Sequence, residues 1–225
     1  MARRYVIRQD AAPVAPISGI DYRTALNEEQ YAAVSSEPGP ALVIAGAGSG
    51  KTRTLTYRVA WLLDHGTDPW NILLLTFTNK AAREMTERVR SLIPLDLSRL
   101  WSGTFHSIAN RILRQHAEYL GYTPAFTIMD SDDRKSMIKS VVKSLKLDEK
   151  STRFPKPEVL SSLFSLADNE GANIRETLEN AYPYLSNHLD AILEVHDQYV
   201  ARKQETNSMD FDDLLLNVVR LFQEQ

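Results

Sequence analysis

Cysteine is absent from all 225 residues, so disulfides and Cys-based zinc sites are excluded. Long apolar runs are missing too. Nowhere do about 18 hydrophobic residues follow one another, which leaves no segment for a membrane-spanning helix. A basic excess is also lacking: 26 Lys and Arg face 29 Asp and Glu, a formal net charge of −3. Wrapping a duplex by charge alone calls for a basic protein, so any nucleic-acid contact must rest on local chemistry. The first residues, MARRYVIRQDAAPVAPISGI, hold Arg3 and Arg4 but no apolar stretch behind them, and read as a mobile leader over 1–20, not a signal peptide. Together these absences point to a cytoplasmic protein without a membrane partner.

What is present fits a globular chain, with 43% hydrophobic and 24% charged residues, long enough for one large domain or two smaller ones. A short amphipathic stretch runs from Leu26 to Val34. The apolar run Ala41 to Ala45 then enters a glycine-rich turn and reads as a buried strand. Behind it, Leu55, Val59, Leu62 and Leu63 recur at helical spacing within Thr52 to His65, and Gly66 stands where a helix C-terminus wants glycine. The pattern repeats twice. A strand over Ile72 to Phe77 precedes a helix opening near Asn79, and "RLWSGTF" precedes a helix over Ser107 to Leu120 that stops at Gly121. Three strand–helix alternations predict a parallel α/β sheet. Beyond about Tyr122 the chain reads as all-α. Met137, Val141 and Leu145 share a face, Phe211, Leu214, Leu215, Val218, Val219 and Phe222 form a stripe, and Pro155, Pro157 and Pro183 punctuate the helices between.

The turn itself, "IAGAGSGKT" over Ile44 to Thr52, is built to hold phosphates. A tight loop between strand and helix can turn successive N–H groups inward, and the helix N-terminus adds roughly half a positive charge. Lys51 would reach the β- and γ-phosphates, and the Thr52 hydroxyl would ligate Mg²⁺. The pattern G-x-x-x-x-G-K-[ST] has Ala45 in place of its first glycine, while Gly46, Gly48 and Gly50 remain.

One component of a hydrolytic P-loop site is missing. Hydrolysis needs an aspartate at the end of an apolar strand, usually beside a glutamate. Asp130 ends "AFTIMD" but Ser131 follows it, so Asp130 to Asp133 read as a helix cap. In "SMDFDDLLLNVV" the acids precede the apolar stripe, which is the reverse of a strand-borne carboxylate. Asp210 there reads as an N-cap, with Asp212 and Asp213 in the first turn.

The segments "LNEEQ", "AGAGSGKTRTL", "LLLTFTNKAAREMTERV" and "GTFHSIANRIL", followed by "FTIMDSDD" and "MDFDDLL", resemble in order and spacing the superfamily 1 DNA helicases of the UvrD/Rep type, from about Ala25 to the C-terminus. The resemblance implies a P-loop NTPase (RecA-like) parallel sheet, partial here, followed by a mainly α-helical insertion domain. It implies ATP with Mg²⁺ on Ala45, Gly46, Ala47, Gly48, Ser49, Gly50, Lys51 and Thr52, adenine read by Gln30, and Arg53 against the base. A carboxamide suits that task, because it can pair with the adenine amino group and N7 at once. Single-stranded DNA would meet Phe77, Thr78 and Asn79 after the second strand and Thr104, Phe105 and His106 after the third. Read from the residues alone, Gln30 is a solvated position, Arg53 an exposed helix arginine, Phe77 a core residue, Thr78 and Asn79 a helix cap, and His106 a capping or packing residue. No nucleophile or orienting carboxylate accompanies His106, so these motifs suggest binding and not chemistry.

The expected division is a leader over 1–20, the first part of a motor domain over 21–120, and a helical insertion over 121–225. In the resembling family the acidic metal-binding motif follows "DFDDLL", and the arginine finger and second motor domain come later. The chain is therefore expected to be an N-terminal fragment that does not hydrolyse ATP alone. Its parent is expected to move 3′ to 5′ on single strands and at junctions in repair or replication. A P-loop kinase would leave the DNA-side motifs unexplained, and a non-hydrolysing nucleotide- or DNA-binding module differs mainly in what lies beyond Gln225.

Overall fold

A computed structural model describes residues 16–147 and 154–224. The chain separates into two compact units, Met1–Phe105 and His106–Gln225. No helix among the described residues is long and apolar enough to cross a membrane.

In the first unit, α1 (Tyr22–Ala25) and α2 (Glu28–Ser35) precede α3 (Lys51–Asp64). Strand β1 (Leu73–Thr76), α4 (Asn79–Leu92) and β2 (Trp101–Thr104) follow. The two strands pair in parallel, from Leu73 opposite Trp101 to Thr76 opposite Thr104, with α4 as the crossover. Local signals set the helix ends. Asn27 and Gln30 form a reciprocal capping box on α2, and Thr78 Oγ1 accepts from Ala81 N (3.1 Å) to cap α4. His65 and then Gly66 (φ 86°) close α3, as the glycine after the helical spacing predicts. The core joins Val59, Ala60 and Leu63 of α3 to Leu74 of β1 and to Met85 and Val89 of α4. Burying each Val, Leu or Met among them contributes roughly 1.5–3 kcal/mol.

The expected strand over Ala41 to Ala45 does not form. Those residues pair with no strand among the described residues, and Leu42 and Ile44 are 87% and 89% exposed. The physical reason is that a parallel strand must borrow all its ladder partners, and neither β1 nor β2 reaches this run. The expected mobile leader lies outside the described residues over 1–15. From Ile17 the chain is held, with the Ile17 and Ser18 N–H groups donating to Asp64 at 3.1 and 2.8 Å.

The second unit opens with α5 (Phe105–His116), which continues as a 3₁₀ turn (Ala117–Leu120) to Gly121 at φ 79°. Strand β3 (Thr127–Ile128), α6 (Ser131–Ser144), α7 (Pro157–Glu170) and α8 (Ile174–Ala181) come next. They are followed by α9 (Leu189–Glu205), β4 (Ser208–Met209) and α10 (Phe211–Glu224). Pro157 occupies the first turn of α7 and Pro183 that of a 3₁₀ turn, where a missing N–H costs nothing. Asp130 caps α6 by accepting from the N–H groups of Asp132 and Asp133 (2.8 and 2.9 Å), which hold its carboxyl below the ordinary range. Asp210 and Asp213 cap α10 reciprocally at 2.8 and 2.9 Å.

The second half is not purely helical. β3 and β4 form a two-residue parallel pair, Thr127 opposite Ser208 and Ile128 opposite Met209. The α10 stripe is also only partly inward. Leu214 and Leu221 are buried, whereas Phe211, Val219 and Phe222 are 51%, 53% and 70% exposed. One apolar core gathers α6, α7, α8 and α9, and another joins α5 to Met209 and α10. A buried charge cluster ties α6, α9 and α10 together. Lys203 Nζ reaches Asp210 (3.3 Å) and Asp213 (2.7 Å), Arg134 pairs with Asp210 and Asp212, and the Tyr199 hydroxyl donates to Asp210 (2.7 Å). Burial pushes the Asp210 carboxyl up, but Lys203 and Arg134 outweigh it and hold the group ionised.

Candidate nucleotide and nucleic-acid sites

The glycine-rich loop runs into the N-terminus of α3. Gly48 (φ 76°) and Gly50 (φ 83°) take left-handed backbone that a side chain would strain. At Gly50 the space is closed as well, since a Cβ there would lie 2.7 Å from Nε2 of Gln30. No side chain caps α3, so its first N–H groups are left for a ligand. Ser49 Oγ donates to the Gly46 carbonyl (2.8 Å), which tightens the turn. Lys51 is folded back: its Nζ donates to the carbonyls of Ala45 (3.1 Å) and Gly46 (2.7 Å). Thr52 is exposed at the first turn, its carbonyl accepting from Thr56 Oγ1.

Gln30 is not a free surface residue. Its Nε2 donates to the Ser49 carbonyl at 3.0 Å across 19 residues, while its Oε1 accepts from Asn27 N (3.3 Å). The structure therefore brings Gln30 to the loop. Arg53 is exposed but engaged, donating to the Ala25 carbonyl (2.9 Å) with its guanidinium 5.0 Å from the Tyr57 ring centroid. A cleft of about 260 Å³ is lined by Asn27, Gln30, Ala45, Ser49 and Lys51. A second, of about 360 Å³, is lined by Ser36, Val43, Lys51 and Arg58. Gly46 and Gly48 face open space, so the loop offers a cradle that suits a row of phosphates. Among the described residues no three His, Asp or Glu side chains gather as a metal site.

On the nucleic-acid side, Phe77 is no core residue: it is 92% exposed, and the chain turns at Thr78 to start α4. The parallel register ends with Thr76 opposite Thr104, so Phe77 and Phe105 both follow at the C-terminal edge of the sheet, where open α/β sheets take ligands. Their rings lie 5.7 Å apart. Thr78 spends its hydroxyl on the α4 cap, and Asn79 is exposed beside it. Within the second unit, His106 meets the ring of Phe211 edge-on at 5.8 Å. Sequence reading assigned Phe211 to the α10 core stripe. Only its exposure, and its pairing with a residue about a hundred positions away, single it out.

A glycine-rich loop opening a long helix beside parallel strands places the chain in the class of P-loop proteins. A family model narrows that class: "UvrD/REP helicase N-terminal domain" matches residues 26–225, and the chain belongs to that family. Among curated relatives, the ATP-dependent DNA helicase PcrA of Staphylococcus aureus is 41% identical over 199 residues, covering 88% of this chain and 26% of that protein. The PcrA protein of Staphylococcus epidermidis gives the same identity and coverage. The chain thus spans about a quarter of the length of the curated relatives it matches.

Proposed function

We propose that this chain is the nucleotide- and strand-binding first part of an ATP-dependent DNA helicase. Residues 21–120 would serve as the N-terminal part of the first RecA-like motor domain, and 121–225 as its helical insertion. The compact-unit boundary falls earlier, at Phe105, because Ala109 and Leu113 of α5 bury into the second unit's core. The observation that most supports the nucleotide reading is the Gln30 amide donating to the Ser49 carbonyl, which brings a carboxamide side chain to the glycine-rich loop.

In this reading the backbone from Ala45 to Thr52 holds the phosphates. Lys51 exchanges two neutral carbonyl partners for charge-assisted bonds to the β- and γ-oxygens. Gln30 pairs with adenine, and Arg53 closes the base side. Thr52 would give its hydroxyl to Mg²⁺, which would supply charge neutralisation for the phosphates. Phe77 and Phe105 stack on bases of single-stranded DNA, Thr78, Asn79 and Thr104 meet phosphates, and in the second unit His106, beside Phe211, makes a strand contact of its own. Asp130 and Asp210 are both spent on helix caps, so the chain alone is hydrolysis-deficient. The whole protein would supply the acidic strand end and a second motor domain, and work 3′ to 5′ in the cytoplasm, in repair or replication.

The test is ATP binding and turnover by the chain, with and without single-stranded DNA, beside Lys51→Ala and Phe77→Ala. We expect binding without turnover, ATP affinity reduced at least about tenfold by Lys51→Ala, and strand affinity alone reduced by Phe77→Ala. Strand-stimulated turnover lost in Lys51→Ala would refute the hydrolysis-deficient reading. Unchanged ATP affinity in that variant would refute the cradle.

A further inference from the structure

Asp64 is the last residue of α3 and is fully buried. A carboxylate there is doubly disfavoured, because burial strips its water and the helix C-terminus already carries partial negative charge. It is compensated entirely from the segment before α2. Asp64 accepts from the N–H groups of Ile17 and Ser18, from the Ser18 hydroxyl, and from the Tyr22 hydroxyl at 2.6 Å. Burial pushes its carboxyl up, and these donors together bring it below the ordinary range.

Further contacts join α1 and α2 to α3. The Tyr22 ring stands edge-on to Trp61 (5.0 Å) and Tyr57 (6.2 Å), and Tyr31 meets Trp61 at 6.1 Å. Arg58 donates to the Val34 carbonyl (2.6 Å) at the end of α2, and Arg53 to the Ala25 carbonyl ahead of it. Gln30 lies between those two anchors. Neither α1, with four residues, nor α2, with eight, is long enough to hold its place without tertiary contacts. Asp64 sits thirteen positions beyond Lys51 on the same helix, about 20 Å along its axis, and does not touch a ligand at the loop.

We infer that Asp64 is a positioning residue for base recognition: by clasping Ser18 and Tyr22 it fixes α1 and α2 on α3, and so sets the Gln30 amide against the phosphate loop. This rests on the reading of Gln30 as the base-reading side chain. It adds that the preference for ATP over GTP is held from the far end of the helix.

The experiment is the ratio of ATP to GTP affinity, by calorimetric titration of the full chain, for wild type, Gln30→Ala, Asp64→Asn and the double variant. Wild type should prefer ATP, and Gln30→Ala should abolish the preference. Asp64→Asn should cut the ratio about fivefold, as expected for one lost hydrogen bond's worth of placement, and should add nothing on top of Gln30→Ala. Tyr22→Phe keeps the ring packing, deletes one of the four bonds, and carries the same test should Asp64→Asn not fold. A variant that melts earlier but keeps the wild-type ratio overturns the inference, leaving Asp64 a stabilising residue only. No preference in wild type, or none lost in Gln30→Ala, overturns the reading of Gln30 and this inference with it.

Discussion

In the second unit Lys203 and Asp210 are buried to 3% and 1% exposure, where Lys203 and Arg134 face the carboxylates of Asp210, Asp212 and Asp213. In the first unit the run Leu42 to Ile44 stands in solvent beside the phosphate loop. The interior of the second unit thus takes in charge, with Arg134 Nε and Nη2 and Asn110 Oδ1 left without hydrogen-bond partners, while the first unit leaves a whole apolar run in solvent beside its loop. The difference follows from secondary structure. A helix closes its own backbone bonds, so a helical unit needs only side-chain partners that it can supply itself. A parallel strand closes none of its own and depends on neighbours from distant sequence.

The sharpest way to break this comparison is Asp210→Ala. It strips Lys203, Arg134 and Tyr199 of a shared partner, leaves the two buried cations with Asp213 and Asp212 alone and removes the α10 cap, and should cost about 3–5 kcal/mol. Urea unfolding followed by Trp70 or Trp101 fluorescence, which reports the first unit, should move far less than helical circular dichroism. Equal loss in both signals would show that the units do not unfold separately.

A smaller effect is expected at Asp168, whose carboxyl burial pushes up to about 6, with Lys203 opposing and Asp210 and Asp213 reinforcing the rise. Between the unfolded value near 4 and the folded value near 6 the native state holds the extra proton. The site's contribution is therefore greatest at low pH and is lost as pH rises through 6. Asp168→Asn should stabilise the chain by about 1 kcal/mol at pH 8, discounted for partial solvation, and by almost nothing at pH 4. Thermal melts at the two pH values measure this, and equal shifts at both would contradict it.

The smallest effect on stability belongs to Leu42→Ser with Ile44→Ser, within about 0.5 kcal/mol because both side chains are already in water. Self-association measured by sedimentation should fall in the same variant. A large loss of stability would mean that the run is buried after all, and the contrast between the units would disappear.

What the sequence made legible is what local chemistry decides. The capping acids Asp130 and Asp210, the stop at Gly121, the α3 and α4 spans and the glycine loop all follow from signals within a few residues. Hydrophobicity alone puts Phe77 in the core and a strand at Ala41 to Ala45, and both readings fail, because burial is a property of the neighbours and not of the residue; the resemblance, which sets Phe77 at the strand-binding edge, does not share the first error. The Asp64 clasp, the Lys203 cluster and the contact of Gln30 with the loop join residues far apart, and no spacing rule announces them. Their members look like ordinary surface residues until the fold is known.

The two-residue pair β3–β4 also governs when the second unit can form. The Thr127 N–H donates to the Asn207 carbonyl and that of Met129 to the Met209 carbonyl, closing a loop of some eighty residues. Closure over that distance carries an entropic cost, which the packing of α6 to α9 inside the loop helps to offset. During synthesis, helices α6 to α9 can begin to pack as they emerge. The ends of the unit can be tied only once Met209 has left the ribosome, so this half should complete its folding late and all at once.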